Sequence, residues 1–391
     1  MARVKKAPRP RWVLSLQANF WRSLMEIGMF LHRIAPPRPP PPNFKRTIKA
    51  KVSPNPGPIV LNFYVPSDYE AQRRLKGKKY PVVVNFHGGG YTLGSASDDA
   101  RWAHTVVDEV GAVVVSVDYR RAPEHPFPTA VEDGSDAVLW LAEHHRELSI
   151  DPERIAVSGF SCGGNMAFTV PLRLQGELLS ESYQEEVGLA ESNPIVTTGS
   201  SSMAPSKESF VTKSLPGPDG KTIIHVRKEV NIKAIVAFYP PTDYTQTREQ
   251  RRTTCIRADQ ELSAVFTDLF DESYLYPVTM DLTNPFLSPG VAPDDMLVLL
   301  PEDIVLFCCE WDMLLHEGEQ FRDRLNGLGK KVKYTMVPGV PHGWDKAPNP
   351  LRPTPGVLQH YLSACAELRR VFGTEGEAAL KRRRRRSSFV A

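Results

Sequence analysis

The run Arg154-Ile155-Ala156-Val157-Ser158-Gly159-Phe160-Ser161-Cys162-Gly163-Gly164-Asn165-Met166-Ala167-Phe168 decides the fold class of this chain. It begins with a short apolar segment typical of a buried strand, ends with the start of a helical pattern, and matches G-x-S-x-G between them. This context predicts a strand-to-helix turn so tight that only glycine tolerates the backbone approach. The Oγ of Ser161 would then project above the end of a sheet, which makes Ser161 a candidate nucleophile.

Apolar, β-branched segments recur on both sides of this turn, and helical patterns such as Thr129–Arg146 and Glu317–Leu328 lie between them. Several of the segments are apolar on both faces, as in a buried parallel sheet. The alternation predicts an α/β fold with a mostly parallel, doubly wound sheet flanked by helices. The predicted strands are Ile59–Val65, Val82–Phe86, Ala112–Asp118, Ile155–Phe160, Ala234–Phe238, Ile304–Cys309 and Val332–Val337.

A glycine run, His87-Gly88-Gly89-Gly90, follows the predicted strand Val82–Phe86. Hydrolysis of an ester passes through a tetrahedral oxyanion, which needs backbone N–H groups aimed at one point without side chains in the way. Glycines directly after a strand can supply such donors. The alternative, a phosphate-binding loop, is not supported because no Gly-Lys-Ser/Thr follows.

A nucleophilic serine also needs a base and a group that orients the base, and after a turn of this kind the acid comes first and the histidine last. His342 follows the predicted strand Val332–Val337 in a turn-like setting, and Asp312 follows Ile304–Cys309. Glu310 is the close rival of Asp312. The other histidines downstream of Ser161 lie in the Ser- and Pro-rich insertion or in helical patterns, at positions 225, 316 and 360.

With these motifs in place, the chain resembles the hormone-sensitive-lipase-like branch of the α/β-hydrolase fold over about residues 58–175 and 231–370. The resemblance implies cofactor-independent hydrolysis of a carboxylic ester with a small or medium acyl group, with no metal. It implies the triad Ser161, Asp312 and His342, and oxyanion donors at the N–H groups of Gly89, Gly90 and Cys162, with Gly88 the next candidate. The motifs that carry it are His87–Gly90, Asp118-Tyr119-Arg120, Ala122–Pro128, Gly159–Gly164, Asp312 with Gly318, and Pro341-His342-Gly343.

The chain departs from this family at three positions that bear on its substrate. Phe160 and Cys162 flank the serine where the family usually has Asp or Thr and Ala, and Arg121 replaces a usual Leu. Two other functions stay open at this point: a non-catalytic ligand receptor on the same fold, and an amidase or peptidase with the same triad. The plant gibberellin receptors resemble this family but lack the histidine, so the presence of His342 favours an enzyme.

Charge and cysteine content limit the partners and the compartment. Residues 1–51 hold twelve Lys/Arg and one acid, Glu26, and residues 381–386 are all basic, whereas the whole chain has a formal net charge of only +3. The catalytic core is therefore acidic, and we expect no nucleic-acid partner. Five cysteines without a C-x-x-C pattern favour a reducing, cytoplasmic setting. An acid-free N-terminus leaves a mitochondrial targeting peptide as an alternative.

Three segments frame the predicted catalytic domain, residues 44–375. Residues 1–43 are predicted as an amphipathic helix over 12–34 and a Pro-rich linker, and residues 376–391 as a disordered basic tail. Within the domain we expect a mobile insertion at 181–230 and cap helices at about 241–280. The apolar face of 12–34, with Trp12, Leu16, Phe20, Leu24, Ile27, Leu31 and Ile34, needs cover. It would either cap the active site or make a peripheral membrane contact.

Overall fold

A computed structural model describes residues 8–175, 213–216, 223–226 and 230–376 of this chain. The strands are β1 (Phe44–Lys49), β2 (Pro58–Tyr64), β3 (Tyr80–Phe86), β4 (Val113–Asp118), β5 (Ile150–Phe160), β6 (Lys213–Pro216), β7 (Ile223–Val226), β8 (Ile232–Phe238), β9 (Asp303–Cys309) and β10 (Lys331–Val337). The helices are α1 (Arg11–Ile34), α2 (Tyr69–Leu75), α3 (Ala100–Val110), α4 (Thr129–Glu143), α5 (residues 162–175), α6 (Arg248–Thr253), α7 (Ala264–Tyr274), α8 (Asp294–Leu297), α9 (Leu315–Gly327) and α10 (Val357–Phe372). Short 3-10 turns lie at Pro289–Val291 and Trp344–Lys346.

One large sheet organises the described residues. Eight of the described strands pair in the order β1-β2-β4-β3-β5-β8-β9-β10. The pairs β1–β2 and β2–β4 are antiparallel, and the other pairs are parallel. The predicted mostly parallel, doubly wound sheet is confirmed.

The sheet is covered on both faces because its central strands are apolar on both faces. In β3, Val82, Val84 and Phe86 join one buried cluster, which includes residues of α4, α5 and α9. Val83 points to the other face, where a second cluster contains Trp102 of α3 and residues of α10. The molecule is therefore a three-layer α/β/α arrangement, and the carboxyl ends of β3, β5, β8, β9 and β10 share one edge of the sheet.

Each predicted strand overlaps an observed one. The strands β6 and β7 were not predicted, and neither was β1. Its sequence is mostly polar and only Ile48 is buried, because β1 is an edge strand with one neighbour. The predicted helix Thr129–Arg146 ends earlier, at Glu143. Most of the predicted insertion 181–230, and the tail beyond residue 376, lie outside the described residues. Within the insertion the structure describes the antiparallel pair β6–β7.

Helix α1 lies in the predicted place, but it turns the predicted face outward. Its buried side chains are Leu14, Ala18, Met29 and His32. Of the two alternatives for the predicted face, capping is met only in part. Trp12, Leu16, Phe20, Leu24 and Ile27 are exposed by 67%, 62%, 59%, 42% and 59%, whereas Leu31 and Ile34 are half-buried. Leu24 also lines the cavity at Ser161. The face is turned outward because the opposite side of α1 is also apolar and is bound to the body of the protein.

Three arginines hold α1 in this orientation. Arg11, Arg22 and Arg33 are eleven residues apart, about three helical turns, so they lie along one line of α1. Arg11 donates to the carbonyls of Glu272 and Ser273 at 3.1 Å. Arg22 Nε donates to the carbonyl of Thr92 at 2.9 Å, and its Nη2 pairs with Glu124 at 2.8 Å. Within the described residues, no helix is long and apolar enough to cross a bilayer.

Candidate active site

Ser161 lies on a sharp turn between β5 and α5. Its φ is +53°, which is sparsely populated for a side-chain-bearing residue, and its N–H donates to the carbonyl of Phe238 at 2.9 Å. The flanking glycines permit the turn, since a Cβ at Gly159 would lie 2.0 Å from the carbonyl oxygen of Gly163. The predicted tight turn is thus present, with the serine at its apex.

A continuous hydrogen-bond chain joins the three predicted triad residues. His342 Nε2 lies 2.8 Å from Ser161 Oγ, and His342 Nδ1 lies 2.6 Å from Asp312 Oδ2. Asp312 is 3% exposed, and its Oδ1 accepts the N–H of Leu314 at 3.0 Å. The carboxylate can therefore hold one imidazole tautomer, with the proton on Nδ1 and the lone pair of Nε2 directed at Ser161.

The rival acid Glu310 is directed elsewhere. Its Oε2 accepts the N–H of Gly339 at 2.6 Å. Backbone bonds from Glu310 N–H to Val337 and from Trp311 N–H to Val340, both 3.0 Å, join the loops after β9 and β10. Glu310 therefore supports the loop that carries His342, and among the described residues the carboxylate hydrogen-bonded to the imidazole is that of Asp312.

The predicted oxyanion loop borders the serine. Gly89 has φ of +112°, and a Cβ there would lie 2.5 Å from the carbonyl oxygen of Leu93, so only glycine fits. Gly88, Gly89 and Gly90 line a cavity together with Ser161. Helix α5 begins at residue 162, and the first N–H groups of a helix have no intrahelical acceptor. The N–H of Cys162 is thus a donor of the kind that the resemblance implies.

The side chain of Cys162 lies beneath the glycine loop. Its Sγ accepts the N–H of Tyr91 at 3.1 Å and lies 3.5 Å from the hydroxyl of Tyr119. The Tyr119 hydroxyl also donates to the carbonyl of His87 at 2.8 Å. Burial raises the pKa of the Cys162 thiol, so the group stays protonated near neutrality. It is a structural contact of the loop and not an exposed nucleophile.

Two cavities meet at Ser161 and His342. The larger has a volume of about 410 Å³ and contains the glycine loop together with apolar side chains of α1 and α7. The smaller has about 30 Å³ and is bounded by Tyr244, Tyr274 and the ion pair of Arg248 with Asp271, which are 2.7 Å apart. From α1 the larger cavity receives Trp21, Leu24, Met25 and Met29. The reacting atoms therefore lie between a small and a large space.

A buried charged network next to His342 was not predicted. Lys346 Nζ lies 2.6 Å from Asp345 and 3.0 Å from Asp99, and it stands 3.6 Å over the ring of Phe160. Burial alone would raise the pKa of Asp345, but Lys346 and two tyrosine hydroxyls lower it overall. Tyr239 donates to Asp345, and its ring lies 4.8 Å from that of His342. No sequence pattern links these residues, which come from the end of β5, the segment after β8, the residue before α3 and the 3-10 turn Trp344–Lys346.

The other charged residues of the sequence motifs make contacts that stabilise the fold around the site. Arg120 forms a buried ion pair with Asp133 at 2.6 Å. Glu124 pairs with Arg22 of α1, and Asp118 accepts the N–H of Ala96 at 3.3 Å. Among the described ranges, no group of three or more His, Cys, Asp or Glu side chains is arranged to hold a metal ion.

Comparisons with known proteins place this geometry in a family context. A family model described as alpha/beta hydrolase fold matches residues 83–213 and 221–346. The chain is 30% identical to Lipase 2 of Moraxella sp. (strain TA144) over 288 residues, which are 74% of this chain and 59% of that protein. It is 29% identical to an arylesterase of Saccharolobus solfataricus over 293 residues, 73% of this chain and 76% of that one.

A solved structure gives the same result for the fold. The hyperthermophilic esterase from Pyrobaculum calidifontis superposes with a TM-score of 0.63 at 25% identity, covering 93% of this chain and 96% of that chain. The chain spans less than two thirds of the length of Lipase 2. The residues matched by the family model include Ser161, Asp312 and His342 but not β1 and β2.

Proposed function

This chain belongs to the α/β-hydrolase fold family, in its hormone-sensitive-lipase-like branch, and on that premise we propose that it hydrolyses carboxylic esters with Ser161 as nucleophile. The observation that carries the proposal is the hydrogen-bond chain from Asp312 through His342 to Ser161, with distances of 2.6 and 2.8 Å. A binding protein on this fold would have no need of an aligned base at the serine.

The chemistry follows from the positions of these atoms. His342 Nε2 accepts the Ser161 hydroxyl proton as Oγ attacks the ester carbonyl, and Asp312 stabilises the imidazolium that forms. The oxyanion receives hydrogen bonds from the N–H groups of Gly89, Gly90 and Cys162. His342 then gives its proton to the leaving alcohol. Water, deprotonated by the same imidazole, cleaves the acyl-enzyme and releases the acid.

The two cavities support an ester with one small and one larger apolar part. The cavity of about 410 Å³ has room for the larger part of a small-molecule ester, whereas the cavity of about 30 Å³ has room only for a small group. This agrees with the small or medium acyl ester that the family resemblance implies. The substrate we propose is therefore unsymmetrical in size about its ester bond.

An acyl-chain series of p-nitrophenyl esters tests this function. Purified protein should hydrolyse short and medium esters without added metal or cofactor, and kcat/KM should fall at long chains. Ser161→Ala should reduce kcat to background while the thermal transition stays in place. Absence of hydrolysis across the whole series, or full activity of Ser161→Ala, would contradict the proposal.

A further inference from the structure

Helix α1 carries a contiguous apolar surface that faces away from the protein. We define the outward stripe as Trp12, Leu16, Phe20, Leu24, Ile27 and Phe30, which are 42–67% exposed. At about 100° per residue these six side chains fall within an arc of about 120°. The charged residues of α1 lie outside this arc, on the side that bears the three arginines. Ser23 is the one polar residue of α1 within this arc, so the stripe is an apolar strip along most of the helix with a single small polar side chain in it.

The stripe cannot be buried by rotation of the helix. The opposite side of α1 buries Leu14, Ala18 and Met29, and Trp21 contacts Phe266 of α7 edge-on at 4.7 Å. The C-terminal end is fixed as well, since Arg101 donates to the carbonyl of His32 at 2.8 Å. Each contact that holds α1 over the active site keeps the stripe outside.

We propose that the outward stripe docks on an anionic lipid surface. Its composition fits that partner, because a row of aromatic and branched aliphatic side chains along one side is typical of helices that lie in a membrane interface. The three arginines of α1 do not add to this, since they bind the body of the protein. The segment of sequence around it is strongly basic, with twelve Lys/Arg and one acid in residues 1–51, and so complements anionic headgroups. A second copy docked stripe to stripe would instead bring two such basic segments together.

The stripe is also continuous with the larger cavity. Leu24 is 42% exposed on the stripe and at the same time lines the cavity with Trp21 and Met25. An apolar ester in the lipid surface would reach Ser161 along this wall without crossing water. This last consequence rests on the proposed ester hydrolysis, whereas docking itself does not.

The test measures co-sedimentation of full-length protein with vesicles. The test variant is Leu16→Ser/Phe20→Ser/Ile27→Ser, whose positions are exposed and do not line either cavity. The matched control is Leu75→Ser/Val298→Ser/Leu299→Ser, which removes the same kind of side chain at exposed positions in other elements. Vesicles are phosphatidylcholine with phosphatidylglycerol, or phosphatidylcholine alone. No ester is present, so failure of docking is distinguishable from failure of hydrolysis.

The wild type and the control should bind the anionic vesicles, and the test variant should bind at least about tenfold more weakly. All three should hydrolyse a soluble short ester equally. High salt and phosphatidylcholine alone should weaken wild-type binding, since the basic segment is then screened or unpaired. Equal vesicle binding by all three proteins would overturn the proposal. So would a wild-type dimer that the test variant converts to a monomer while none of the proteins binds vesicles.

Discussion

Cys162 stands next to the serine at a position where the family usually has Ala, and its thiol makes a contact that alanine cannot make. Alanine there would leave the buried N–H of Tyr91 without the acceptor that now lies 3.1 Å away. An unsatisfied buried donor costs about 1–3 kcal/mol. We therefore expect Cys162→Ala to lower the free energy of unfolding by that amount and to reduce kcat, whereas Cys162→Ser keeps an acceptor and loses less. Chemical denaturation of both variants measures this, and equal stability of the two would refute the role.

Asp312 and Glu310 lie two residues apart, and substituting each shows which acid orients His342. Asp312→Asn removes the charge that orients His342 and should lower kcat/KM by up to about ten-thousandfold. Glu310→Gln keeps an acceptor for the N–H of Gly339 and should cost less than about tenfold, because the carboxylate of Glu310 bonds a backbone N–H of the loop and not the imidazole of His342. Steady-state kinetics on a short ester decides between them. A larger loss in Glu310→Gln than in Asp312→Asn would reverse the assignment.

The proximity of individual residues could be predicted where the chemistry requires certain residue types and their order along the chain fixes which strand each one follows. Ser161, Asp312 and His342 each follow a strand of one sheet, so their approach could be inferred from the strand pattern. The pairing of Lys346 with Asp99 could not, because nothing in the spacing of two residues 247 positions apart indicates a contact. Such pairs depend on how loops pack after the sheet has formed.

At the scale of elements, α1 shows what hydrophobic periodicity can and cannot predict. The spacing gave the bounds of the helix to within one residue. It did not indicate which side is buried, because both sides are apolar and the choice is made by contacts with α7 and with the loops after β3 and β4. The edge strand β1 was missed for a related reason, since a strand with one neighbour needs few apolar residues.

Substituting the two tryptophans of α1 shows whether its inward side, and not its outward side, contributes to substrate preference. Trp21 lines the larger cavity and contacts Phe266, whereas Trp12 is 67% exposed. Trp21→Ala should enlarge the cavity and shift the kcat/KM optimum toward longer or bulkier esters, and Trp12→Ala should leave the optimum for soluble esters unchanged. The acyl-chain series measures both. An unchanged profile in Trp21→Ala would remove α1 from the substrate pocket.

For the whole molecule, the buried histidine of α1 makes the stability of the fold depend on pH. Burial, aided by nearby Lys346, lowers the pKa of His32 to about 4. The side chain is 3% exposed and its Nδ1 donates to the carbonyl of Ala347 at 3.1 Å. In the unfolded chain the imidazole of His32 has a pKa near 6.5. Between pH 6.5 and about 4 it is therefore protonated in the unfolded chain but neutral in the folded chain.

The free energy of unfolding should therefore be highest, as far as His32 is concerned, above pH 6.5, and it should fall as the pH drops toward 4. His32 contributes up to about 3 kcal/mol to this loss. His32→Gln retains a donor for Ala347 without a titrating group, and it should flatten the decline by that share. Urea denaturation at several pH values measures it. An identical pH dependence of stability in His32→Gln and the wild type would show that this histidine is not the titrating group.

Mass spectrometry of full-length protein treated with a fluorophosphonate shows whether Ser161 is an activated nucleophile. We expect one covalent adduct, on the peptide that contains Ser161, and its amount should rise in step with the loss of ester hydrolysis. The adduct should be absent in Ser161→Ala and should form orders of magnitude more slowly in His342→Ala. Loss of hydrolysis with Ser161 unmodified, or an adduct on another residue, would contradict the assignment of Ser161 as nucleophile.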